Sequence, residues 1–163
     1  MKFITSTELE SWGNTRESQD KLPLLLRRLI INGIGFDNID INMPGGDSVW
    51  KPGVDGSVIT KKDSFLGGKN TTYIVECGQT KKSKSKFKDD LVKRTKKLHG
   101  VATSSVFIFI TTHKWKNKSD TIKSIRSEVE NSHLWADIKT FDADDIETGL
   151  IMIFQQQLGY LTF

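Results

Sequence analysis

Two carboxylates and a lysine-rich stretch occupy the middle of this chain. Asp55 stands among turn residues in PGVDG, Glu76 closes the run TTYIVE, and KSKSKFKDDLVKRT follows at once. Two carboxylates on neighbouring strands can hold a divalent cation, and a cation-rich helix beside them can meet a phosphate. That chemistry suits cleavage of a nucleic-acid backbone. Asp55 and Glu76 lie 21 residues apart on consecutive predicted strands joined by one loop, so their side chains can converge at a sheet edge. A carboxylate amid Ile74, Val75 and Cys77 is costly unless it is paired or bound to metal. Each residue also has a plainer reading. Asp55 reads as a turn aspartate beside glycines, and Glu76 as an edge-strand charge or the partner of a helix lysine. Taken singly the plainer readings lead; taken with the basic helix, the site reading gains.

The elements that must position these residues follow from periodicity. Residues 6–32 read as helical, with Pro23 near a helix start or at a kink between two helices, and Gly33 and Gly35 ending the segment. Strands are expected at 36–43, 54–60, 71–77, 105–111 and 135–141. The third of these is nearly continuous in β-formers and is therefore placed centrally. Residues 85–98 switch to a helical period, with Phe87, Leu91 and Leu98 on one stripe and Lys86, Asp90, Lys93 and Lys97 on the next. Helices are also expected at 119–131 and after Phe141, where the acidic first turn suits the positive end of the helix dipole. The order α-β-β-β-α-β-α-β-α predicts an α/β fold with a mixed central sheet flanked by helices on both faces.

Composition bounds the rest. At 163 residues the chain, 1–163, reads as one domain. No long apolar run suggests a membrane span, the start lacks the pattern of a signal peptide, and the single Cys77 excludes a disulfide within the chain and a multi-cysteine zinc site. A cytoplasmic location is the simplest expectation. Net charge is +4, yet between Lys81 and Lys97 there are nine Lys or Arg against two Asp. Such a strip implies a polyanion footprint or, on even terms, a solvated helix face.

PGVDG, the strand ending in Glu76 and KFKDDLVKRT together resemble the PD-(D/E)XK nuclease superfamily. More narrowly, they resemble the restriction-endonuclease-like N-terminal domains of bacterial antiviral NTPases of the STAND/AVAST type. RESQDKLPLLLRRLI, FIFITTHKW and WADIKTFDADDIE extend the resemblance over nearly the whole chain. It implies a restriction-endonuclease-like core of about five strands, an Mg²⁺-dependent endodeoxyribonuclease activity with Mn²⁺ as substitute, and Asp55 and Glu76 as metal ligands. The superfamily's lysine, two residues after the glutamate, is replaced here by Gly78, and Lys86 on the following helix matches the relocated lysine of the subgroup. Lys84 is a fallback, Gln79 could orient a water, and Glu17 matches an additional first-helix acid, although a solvent-exposed glutamate is the plainer reading there. The subgroup's Asp-Tyr appears as Asp90-Leu91 and its Trp-Glu as Val75-Glu76. Lys93 and Lys97 are expected to clamp the DNA backbone without reading sequence. Arg94 reads as a buried structural partner.

Other motifs are empty of chemistry. GGKN at Gly67 lacks the remaining phosphate-loop residues. His99, His113 and His133 are scattered; Cys77 reads as a core thiol; Trp12, Trp50, Trp115 and Trp135 read as packing anchors, with Trp50 or Trp115 as candidates for the substrate side. The expectation is a DNA endonuclease effector in anti-phage defence that self-associates, either by itself or as one domain of a larger NTPase sensor polypeptide. Its rivals are a nucleic-acid-binding module that does not cleave, and an oligomerising or recruiting domain.

Overall fold

The computed structural model describes residues 4–45, 53–97 and 102–161, with the backbone alone for 102 and 154–161. Two helices open the chain, α1 (Ser6–Gly13) and α2 (Arg16–Ile34). The expected helical segment divides at Asn14–Thr15 rather than at Pro23, because Thr15 adopts extended backbone and its hydroxyl accepts the N–H of Ser18 at 3.3 Å, which caps a new helix. α1 starts with a capping box between Thr5 and Glu8. Pro23 and Gly33 both lie inside α2, which ends instead at Gly35, whose φ of 95° only glycine tolerates readily.

Five strands follow: β1 (Ile39–Asn42), β2 (Gly56–Thr60), β3 (Thr72–Gly78), β4 (Ser105–Thr111) and β5 (Asp137–Phe141). Helix α3 (Ser83–Lys97) joins β3 to β4, α4 (Lys118–Glu128) joins β4 to β5, and α5 (Ala143–Leu161) closes the chain. They form one mixed sheet in sequential order, β1-β2-β3 antiparallel and β3-β4-β5 parallel, so β3 is central as its apolar run requires.

The pleat sorts the side chains of β3 and β4 between two cores. Tyr73, Val75 and Cys77 with Val106, Ile108 and Ile110 face α1, α2 and α5. Ile74, Phe107 and Phe109 face the other way, against Phe87 and Leu91 of α3, Ile125 of α4 and Trp135. On this second face Glu76 and Gly78 continue the alternation begun by Ile74. A charged side chain is thereby sent into an aromatic layer in which Phe87 and Phe109 pack edge-on at 5.6 Å. Among the described residues no helix is long and apolar enough to cross a membrane.

Candidate active site

The candidate site forms where β2 begins and β3 ends. The antiparallel register pairs Gly56 with Val75, and its continuation brings Asp55 opposite Glu76. Asp55 Oδ2 accepts the backbone N–H of Cys77 at 2.7 Å, which closes the last rung of the pair with a side chain. Because β3 is central and β2 lies beside it, the two acids meet at the ends of inner strands rather than at a sheet edge.

Glu76 is 2% exposed and belongs to no edge strand; its partner is not a helix lysine but Arg94 of α3. Arg94 Nε donates to Glu76 Oε1, and Nη2 donates to the carbonyl of Gly53, two residues before Asp55. The guanidinium thus joins β3, α3 and the approach to β2, in keeping with its reading as a buried structural partner. Burial first, and then the charge of Asp55, push the Glu76 carboxyl up to about 8 against the pull of Arg94.

Lys86, Asp90 and Arg94 follow one another at helical spacing along α3. Lys86 Nζ donates to Asp90 Oδ1 at 2.7 Å. The Asp90 side chain is only 6% exposed. Its Oδ2 is buried and accepts no hydrogen bond among the described residues. Burial raises the Asp90 carboxyl above the ordinary range, Lys86 draws it back, and Asp55 adds to the rise.

Gly78 explains where the lysine stands. A Cβ built on it would lie 2.7 Å from Cζ of Phe109 and 3.3 Å from Cγ of Lys86. The strand position two residues after Glu76 therefore has no room for a side chain, and the stem of Lys86 lies over it. Of the remaining expected residues, Gln79 is half-buried beside the end of β3, while Lys84, Lys93 and Lys97 lie exposed on α3. Glu17 is exposed on α2 and pairs with Lys21; no described contact brings it to Asp55 or Glu76. Trp50 and His99 lie outside the described residues. Trp115 packs on Phe87 at 5.6 Å, Trp135 is buried against Phe107, and His133 is exposed. His113, two residues beyond β4, is buried, and its ring nitrogens lie 3.3 Å from Asn14 Oδ1 and Thr112 Oγ1.

Asp90 is not among the residues expected at the site, although its i, i+4 spacing from Lys86 and to Arg94 is legible in the sequence. Among the described residues no three His, Cys, Asp or Glu side chains converge to ligate one ion. Two carboxylates nonetheless fit a hard cation that retains most of its water, and the unpartnered Asp90 Oδ2 leaves an acceptor beside them. Comparison of the chain with protein-family models, with curated proteins and with solved structures finds no match.

Proposed function

We propose that this chain is a restriction-endonuclease-like domain that hydrolyses DNA phosphodiester bonds with the help of Mg²⁺ or Mn²⁺. The observation that carries the reading is the stem of Lys86 lying over Gly78. That is where a lysine on the strand would begin, so an ammonium reaches the Asp55–Glu76 end of the sheet from the helix instead. Asp55 and Glu76 would hold the ion. A bound divalent cation supplies a Lewis acid for the phosphoryl oxygen and lowers the pKa of a water. The chain's own groups do the rest. Glu76 must part with its proton and loosen its hold on Arg94 to serve as a ligand. Lys86 places positive charge where the phosphoryl group gains negative charge. Lys93 and Lys97 lie along the same helix, open to solvent, and meet the backbone. The preference for DNA, a defence role, a larger sensor polypeptide and self-association rest on the resemblance alone.

A second reading is a nucleic-acid-binding module on this fold that does not cleave. The buried Glu76–Arg94 pair favours it, since the arginine already occupies the glutamate. Supercoiled plasmid incubated with Mg²⁺ or Mn²⁺ separates the two readings. The nuclease reading expects nicked or linear product that Asp55→Ala and Glu76→Ala abolish. Salt-sensitive binding without product, or equal cleavage by Glu76→Ala, refutes it.

A further inference from the structure

The two oxygens of Asp90 live in different surroundings. Oδ1 accepts from Lys86 Nζ at 2.7 Å, whereas Oδ2 is buried and accepts no hydrogen bond among the described residues. Nearly all buried polar atoms in folded proteins have a partner, and leaving one without is costly. A lysine–aspartate pair one helical turn apart needs no burial to form and is ordinarily a solvated pair of little consequence. Here the Asp90 carboxylate is turned inward with 6% of the side chain exposed, while Lys86 retains 37%. The pair has been rotated toward the end of β3, where Gly78 makes room for the lysine stem.

Asp90 stands one turn before Arg94, which pairs with Glu76, and the β2–β3 register brings Asp55 opposite Glu76, so three carboxylates share one neighbourhood. They do not converge closely enough to ligate one ion together. A donor that satisfies Oδ2 beside two further acids is therefore best supplied by the water shell of a cation. Outer carboxylates of this kind orient what the inner ligands hold.

We propose that Asp90 is a positioning residue of the site. Its Oδ1 tethers the Lys86 ammonium over Gly78, and its Oδ2 accepts a hydrogen bond from a water in the shell of a divalent cation held by Asp55 and Glu76. This rests on the nuclease reading above for the identity of the ligands.

The test is Mn²⁺ titration followed by calorimetry on the full chain as wild type, Asp90→Asn and Asp90→Glu, with plasmid cleavage kinetics and metal-free thermal unfolding alongside. Asp90→Asn keeps the shape of the side chain and removes its charge. It is expected to stay folded, to bind Mn²⁺ about 10–100-fold more weakly, and to lose kcat by a similar factor. KM for DNA stays near wild type, and Asp90→Glu recovers part of both losses. Should Asp90→Asn not fold, Asp90→Ser reads the same affinity. Wild-type Mn²⁺ affinity in the folded variant overturns the proposal. If the wild type binds Mn²⁺ but yields no product, the nuclease reading fails, and the role of Asp90 is still decided by the difference in affinity. A wild type that binds no Mn²⁺ overturns both.

Discussion

Arg94 of α3 and Glu76 of β3 meet as an ion pair in which both side chains are almost wholly buried, 5% and 3% exposed. The arginine also holds the carbonyl of Gly53, so one guanidinium fastens helix, central strand and the approach to Asp55. Pairs of this kind repay their desolvation only when every partner is present. Arg94→Ala is therefore expected to cost about 1–3 kcal/mol of stability, because it leaves the buried Glu76 carboxyl and the Gly53 carbonyl without their donor. Denaturant unfolding of the variant against wild type measures it. A loss below about 1 kcal/mol, the size of an exposed pair, would contradict the account.

The same carboxylate makes stability depend on pH. Its value is about 8 in the folded chain against 4.5 unperturbed, so the folded state holds the proton more tightly. That contribution is whole below 4.5 and is lost as pH rises through about 8. The raised Asp90 carboxyl acts in the same direction. Denaturant midpoints are expected to fall across this window, and Glu76→Gln is expected to flatten the fall. Since a cation must displace the proton, Mn²⁺ affinity should rise over the same range. A midpoint and an affinity that ignore pH there would exclude this role for Glu76.

Gly78 sets the path of the lysine. Gly78→Ala places a methyl 2.7 Å from Phe109 Cζ, within a packed aromatic layer. Overpacking of this kind costs about 1–3 kcal/mol. The variant is expected to lose that much stability in thermal or denaturant unfolding, and to lose activity as Lys86 is pushed aside. A Gly78→Ala variant as stable as wild type would mean that the strand end yields easily.

The lysines of α3 divide by depth. Lys86→Ala is expected to lower kcat about 10²–10³-fold, the scale for removing a group that steadies developing charge, with DNA affinity little changed. The double change Lys93→Ala and Lys97→Ala is expected to weaken DNA binding evenly over sequences. It should also lower the slope of log affinity against log salt by about 2. Affinity measured over a salt series, beside single-turnover cleavage, distinguishes the two behaviours. Identical effects from both sets would mean that Lys86 is only another backbone contact.

Much of the architecture was legible in residue order. The alternation in 36–43, the apolar runs of 71–77 and 105–111 and the helical stripe of 85–98 all correspond to elements within a few residues of their expected ends. The first helical segment divides at Asn14–Thr15 rather than near Pro23, where the sequence suggests a helix start or kink. Only the Thr15 cap, a local hydrogen bond with no hydropathy signature, divides it.

By itself the sequence determined the α/β order, the central place of β3 and the pairing of Asp55 and Glu76 at adjoining strand ends, because alternation, run length and turn residues act over short distances along the chain. The tertiary structure alone decided that Glu76 faces Arg94, that Asp90 turns inward and that Lys86 lies over Gly78. Those outcomes depend on how far α3 is rotated as it packs on β3. That rotation is set by Phe87, Leu91 and Phe109 fitting together, which no spacing in the chain records.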